Sequence, residues 1–125
     1  TSVVGIVAQR LVKRLCTYCR KPHKTSRSEM ALLDIKEPAI IYQAKGCNEC
    51  GQTGYRGRTA IHEVLVMNRQ IRDLIARDTS VDEVKDAAIA DGMHTLHQSC
   101  AELVLAGTTT LDQLIRVTHT VNETS

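Results

Sequence analysis

The chain has 125 residues, 42% of them hydrophobic, yet no Phe or Trp and only three Tyr, so any core is aliphatic and the length is that of one domain or of a piece of a larger protein. Its net charge of +2 hides an asymmetry: residues 1–58 hold eleven Lys/Arg and four Asp/Glu (+7), and residues 59–125 hold five and ten (−5). No apolar run approaches the ~18–20 residues that span a bilayer, and sparse aromatics with no recognition-helix motif leave the basic half as a solvated face, with no nucleic acid expected.

The chain begins at Thr1, without a methionine, and reads as an excised or processed piece. Residues 3–15, VVGIVAQRLVKRL, are apolar-rich and run directly into Cys16; they predict a short helix leading into a strand. Cys16-Thr-Tyr-Cys19 follows, and Cys47-Asn-Glu-Cys50 repeats the pattern after 27 intervening residues, Arg20 to Gly46. Each Cys-x-x-Cys can clamp a metal from one tight turn. Two such clamps make a four-thiolate site on Cys16, Cys19, Cys47 and Cys50. The separation exceeds the roughly 15–20 residues of common zinc ribbons, so the intervening loop carries an element of its own. Zinc is the default metal; thiolates also suit iron, and spacing does not separate the two. A closed four-thiolate site leaves no position for water or substrate, so the expected role is structural, with no catalytic residue assigned. No secretory segment precedes the cysteines, which favours thiols over disulfides and a cytoplasmic setting.

Within the loop, Ser26 and Glu29 form a capping-box pattern, predicting a short helix near residues 28–35. Pro38 ends it, and Ala39 to Ala44 reads as a strand feeding the second cysteine pair. Gly51, Gly54 and Gly57 read as turn residues, and no G-x-x-x-x-G-K phosphate loop occurs anywhere in the chain. Thr59 to Met67, TAIHEVLVM, is apolar on both faces and reads as a buried strand. Glu63 in its middle is either an edge carboxylate paired with an Arg or a residue beside an active site. Beyond Met67 four helices are predicted. Asn68 caps the first, with Ile71, Leu74 and Ile75 on one face. Ser80 and Glu83 cap the second, and Gly92 stops it. Met93 to Ala106 is the third, ended by Gly107. Thr110 and Gln113 open the fourth, with Leu111, Leu114 and Ile115 inward. Cys100 lies mid-helix as a small core residue and is not expected to bind metal. The tail after Val121 is polar and expected to fray.

These elements suggest two apolar stretches pairing as a hairpin with a metal-pinned module at its tip. About 40 residues with an aliphatic core do not hold themselves without such a staple.

The motifs also carry a resemblance. Ala8-Gln-Arg-Leu-Val-Lys-Arg-Leu-Cys-Thr-Tyr-Cys19, Gly46-Cys-Asn-Glu-Cys-Gly-Gln-Thr-Gly-Tyr-Arg-Gly-Arg-Thr-Ala-Ile-His-Glu-Val-Leu65 and Gly107-Thr-Thr-Thr-Leu-Asp-Gln-Leu-Ile-Arg-Val-Thr118 resemble, in order, the C-terminal region of the type II secretion and type IV pilus assembly ATPases. The resemblance implies an α/β fragment: the end of a RecA-like P-loop domain (1–15 and the strand 59–67), a tetracysteine zinc insert (16–58), a C-terminal helical subdomain (68–121) and a frayed tail (122–125). It implies a hexameric motor on the cytoplasmic face of the inner membrane, reaching that membrane through partner platform proteins. ATP and Mg would bind in the full-length protein, before Thr1, and not on these residues. Retraction ATPases of the superfamily lack the four cysteines, which points to the secretion or assembly branch. Type II secretion is favoured over pilus extension. Gln70-Ile-Arg-Asp-Leu-Ile75 is similar to a functional motif of the retraction ATPases, but Gln70 and Asp73 depart from it, so Arg72 is read as solvated on an amphipathic helix. The reading of a different class is a free-standing zinc ribbon that binds nucleic acid or protein.

Overall fold

The computed structural model describes residues 3–67, 73, 76, 77 and 94–124. Strand β1, Val3–Leu15, pairs antiparallel with the later strand Tyr55–Met67, in a register running from Val3 opposite Met67 to Leu15 opposite Tyr55. Register irregularities at Ile6/Ala8 and Lys13/Leu15 increase the local twist. The helix predicted to open residues 3–15 is absent: one strand covers the whole stretch. Four valines and an isoleucine restrict χ1 and suit a pleated strand better than a helix, and the long partner strand pairs along it from Val3 to Leu15.

Residues 16–54 join these two strands. Strand β2, Lys21–Lys24, pairs antiparallel with β3, Ile40–Gln43, and helix α1, Arg27–Leu33, lies between them. The capping box is present: the Ser26 hydroxyl accepts from the Glu29 amide, and the Glu29 carboxylate accepts from the Ser26 amide at 2.7 Å. The same carboxylate meets His23 Nε2 at 2.8 Å. The Ser26 amide first, then His23, hold the Glu29 carboxyl below its ordinary value of 4.5. Because the folded value is depressed, this contribution is present above the unfolded value and is lost as pH falls through the folded one. Ser26→Ala should cost about 1 kcal/mol, read as a lower denaturant midpoint at neutral pH. The penalty should shrink once Glu29 is protonated.

The partner strand Tyr55–Met67 is β4. It starts earlier than the predicted Thr59. Among residues 59–64, Ile61 is buried and the others are half-buried, so the strand is not enclosed on both faces as its composition suggested. One face takes the core, and Leu11 on the opposite face of the pair is 60% exposed. The far edge of β4 carries a bridge to His94, with Val64 N–H donating to the His94 carbonyl at 2.8 Å and the reverse bond at 3.1 Å.

Helix α2, Leu96–Leu105, begins at a second capping box, Thr95 with Gln98. Leu96, Cys100, Ala101 and Val104 form its buried stripe, the spacing of one helical face. Its end is a Schellman turn: Gly107 N–H reaches the Val104 carbonyl and Thr108 N–H the Leu103 carbonyl. Gly107 has φ +79°, which suits glycine there. Helix α3, Leu111–Thr124, follows. Leu114 and Val117 are buried and Leu111 packs against them, but Ile115 is 46% exposed, so the predicted inward set is corrected to Leu111, Leu114 and Val117. The predicted helices opening at Asn68 and Ser80, with Arg72, lie outside the described residues.

One apolar cluster holds these elements together: Val12 and Ile61 from the long strands, Leu33 from α1, Ile41 from β3, and the buried stripes of α2 and α3. The segment carrying the cysteines therefore does not stand clear of the body. It contributes Leu33 and Ile41 to the same core as the C-terminal helices.

Candidate metal centre

The β1–β4 pair brings both cysteine turns to one end of the sheet. Cys16 follows the last residue of β1, and its amide donates to the Gly54 carbonyl at 2.9 Å. The first knuckle closes with Arg20 N–H on the Cys16 carbonyl, at 3.1 Å. The second is a short 3-10 turn, Asn48–Cys50, ended by Gly51 in the left-handed region.

All four predicted ligands converge. The Sγ atoms of Cys16, Cys19, Cys47 and Cys50 lie within 4.8 Å of one another. Three separations are 3.7 Å (Cys16–Cys47), 3.8 Å (Cys19–Cys50) and 3.7 Å (Cys47–Cys50). A tetrahedron with metal–sulfur bonds of about 2.3 Å has edges of about 3.8 Å. The cluster thus has the size of a tetrahedral thiolate site, and it is no disulfide pair, since all five cysteines are free.

Backbone amides are aimed at the sulfurs. Gly46 N–H donates to Cys19 Sγ at 3.3 Å, Cys47 N–H to Cys50 Sγ at 3.3 Å, and Gly54 N–H to Cys50 Sγ at 3.1 Å. Such outer contacts fix the ligands and favour their charged form. Desolvation pushes the Cys50 thiol up, but the Cys47 and Gly54 amides outweigh it and bring the group down to about 6. Cys47 moves the other way, to about 11, through desolvation and hydrogen bonding to the Cys19 and Cys16 sulfurs. One thiolate forms readily and its neighbour then resists ionising. A divalent cation removes that conflict, which is why this donor set fits a metal better than four thiols.

Four thiolates and one divalent ion carry a net charge of −2. Arg20, Lys21 and Lys45 line an open cavity of about 560 Å³ beside Cys19 and Cys47. Gly54 is buried at φ +85°, and a Cβ there would lie 2.6 Å from the Ala44 Cβ. Gly54, expected as a turn residue, and Gly46 both donate amides to sulfur; the signal in the sequence is a glycine directly before Cys47 and another four residues after Cys50.

The remaining candidates separate from the centre. Cys100 is fully buried in α2, its thiol pushed up to about 11 by desolvation, and it belongs to the core. Glu63 Oε1 accepts from the Leu96 amide at 3.3 Å. A carboxylate at the first turn of α2 is favoured by the helix dipole, so Glu63 anchors a helix start.

Comparison with known proteins places these features in context. A family model described as type II/IV secretion system protein matches residues 1–116. The chain is 39% identical over 121 residues to type II secretion system protein E of Pseudomonas aeruginosa, covering 95% of this chain and 24% of that protein. It is 37% identical over 118 residues to the type IV pilus assembly ATPase PilB of Thermus thermophilus, covering 91% and 13%. It is 35% identical over 120 residues to type II secretion system ATPase E of Vibrio cholerae, covering 94% and 24%. The chain thus spans about a quarter or less of the length of these relatives.

Proposed function

The chain belongs to the type II/IV secretion system protein family, and from that premise we propose that it is the C-terminal, zinc-bearing part of a cytoplasmic hexameric ATPase that powers type II protein secretion. The observation that carries this reading is the similarity along almost the whole chain to relatives named for secretion and pilus ATPases. The long β1–β4 pair is then the end of a RecA-like sheet, and residues 16–58 are its tetracysteine insert. Zinc is the metal best suited to a closed four-thiolate tetrahedron, and its role here is to fold and fix the insert. Nucleotide and Mg binding belong to the part of the longer relatives that this chain does not span, since no phosphate-loop sequence occurs in these residues.

The second reading, a pilus extension ATPase, is favoured by the PilB similarity, which is almost as high as that to the type II protein. A free-standing zinc ribbon is disfavoured, because Leu33 and Ile41 of the cysteine segment share one core with α2 and α3. The work of such a motor places it against the inner membrane through platform proteins and through other subunits of its ring. No helix among the described residues is long and apolar enough to cross a membrane.

The test is a chimaera. The matching quarter of the Pseudomonas type II protein is replaced by this chain, and the matching part of a pilus ATPase likewise. Restored secretion without restored piliation is the expected result. A stably produced chimaera that restores only piliation establishes the second reading, and one that restores neither overturns both. The 125-residue chain by itself should show no ATP turnover above buffer in a phosphate-release assay. Turnover abolished by a point substitution within it would contradict the placement of the nucleotide site.

A further inference from the structure

We infer that Arg20 latches the metal centre to the turn between α2 and α3, so that metal loading and the order of that turn are energetically coupled through this side chain, beside the coupling that the shared core provides. The inference rests on the reading of the four cysteines as a metal centre.

Arg20 directly follows the ligand Cys19, and its own amide closes the first knuckle on the Cys16 carbonyl. Its orientation is therefore tied to the conformation that presents Cys16 and Cys19. From there the guanidinium reaches across the molecule. Its Nη1 donates to the Gly107 carbonyl at 2.9 Å, and its Cζ sits 4.1 Å from the centre of the Tyr42 ring. Tyr42 lies on β3, opposite Pro22 of β2. One planar cation thus joins the knuckle, the small sheet and the helix–helix turn, donating from Nη1 while its flat face lies over the Tyr42 ring.

Gly107 is shaped for this contact. A Cβ on it would stand 2.6 Å from Arg20 Nη1 and 3.0 Å from the Tyr42 ring. The glycine therefore serves the close approach of the guanidinium as well as the helix end. The same turn is held at a second point beside the cysteines: Leu15 N–H donates to the Thr108 carbonyl at 2.7 Å, and the Thr109 hydroxyl to the Lys13 carbonyl at 2.7 Å. Those bonds come from β1 and do not require the knuckle. Arg20, the neighbour of the ligand Cys19, brings the knuckle's own exit into contact with this turn.

Coupling is reciprocal. If the latch steadies the turn when metal is bound, breaking it from the turn side must weaken metal binding. Zinc affinity of the full chain is measured by competition with a chromophoric chelator. Arg20→Lys keeps the positive charge but loses the planar group that donates to Gly107 while stacking on Tyr42, and should weaken zinc binding about tenfold. Gly107→Ala, whose added atom displaces the guanidinium, should do the same, and the double variant should be no weaker than either single one. Val117→Ala, a core truncation away from the latch, should weaken binding clearly less than either latch variant while the chain stays folded. Should Gly107→Ala fail to fold, Tyr42→Leu removes the stacking face and carries the same expectation. Wild-type affinity in Arg20→Lys overturns the latch and leaves charge compensation as the residue's role. Additive losses in the double variant, or an equal loss in Val117→Ala, overturn it as well. A wild-type chain that binds no metal defeats the reading of the centre itself, which distinguishes the two failures.

Discussion

Cys47→Ser should strip the chain of stoichiometric metal and with it most of the cooperative structure around both knuckles. Structural zinc sites carry apparent binding free energies of about 10–16 kcal/mol at neutral pH, comparable to the whole net stability of a domain, about 5–15 kcal/mol. Cys47 Sγ lies 3.7 Å from both the Cys16 and Cys50 sulfurs, and losing one of the four corners opens three of the tetrahedron's six edges. Elemental analysis should fall from one metal per chain to a trace, and native-state amide exchange should accelerate across residues 16–54. Cys100→Ser, far from the centre in the α2 stripe, should keep its metal and lose only the stability that a buried hydroxyl costs. Undiminished metal in Cys47→Ser would show that the four sulfurs are not one site.

How far exchange accelerates beyond residue 54 separates two pictures of the chain. Sequence patterning suggested a self-contained module at the tip of a hairpin, with helices that stand on their own caps. The shared core says otherwise. Protection should also fall over 96–117, less steeply, because Leu33 and Ile41 lose their fixed positions against Leu96, Val104 and Leu114 when the cysteine segment loosens.

Local chemistry made much of this protein legible in its sequence. The metal ligands were readable because thiolate geometry demands paired cysteines at short spacing. The capping box at Ser26 and Glu29 was readable because an N-cap is a four-residue event. The pairing of the two long strands followed from β-branched, apolar stretches flanking the cysteines. The short helix expected at the opening of residues 3–15 failed because apolar composition alone does not fix the period, whereas a 13-residue partner strand does. Ile115 was assigned inward from α3's own pattern, but the core reaches α3 along the Leu114–Val117 line, a direction set by where α2 and β1 lie. The contacts of Arg20 and Gly107 span 87 positions; no local pattern predicts a contact of that range. The integration of the insert was hidden for the same reason. Leu33 and Ile41 read as the private core of a small module until the surfaces they meet are known.

Ile41→Ala is the sharpest check on that integration. Ile41 sits on β3 inside the cysteine segment, 1% exposed, among the largest fully buried side chains described. Truncating a buried isoleucine to alanine typically costs 2–5 kcal/mol, the removed methylenes plus the cavity they leave. Against a marginal total this is a large fraction, and the denaturant midpoint should fall accordingly with the metal still bound. The informative part is the shape of the transition. One core shared by β1, β4, α1, β3, α2 and α3 must unfold as a unit, so far-UV circular dichroism, which follows the helices, and tyrosine fluorescence should report the same midpoint. Tyrosine is the apt probe, because Tyr18 and Tyr42 both lie within the cysteine segment and Tyr55 immediately follows it, with no Trp to mask them. Coincident curves shifted together to lower denaturant are the expected result. Separated curves, with the tyrosine signal lost first and the helical signal unshifted from wild type, would restore the independent module. The metal would then be a staple for the insert alone, and the packing of Leu33 and Ile41 against α2 and α3 would contribute little to holding the two parts together.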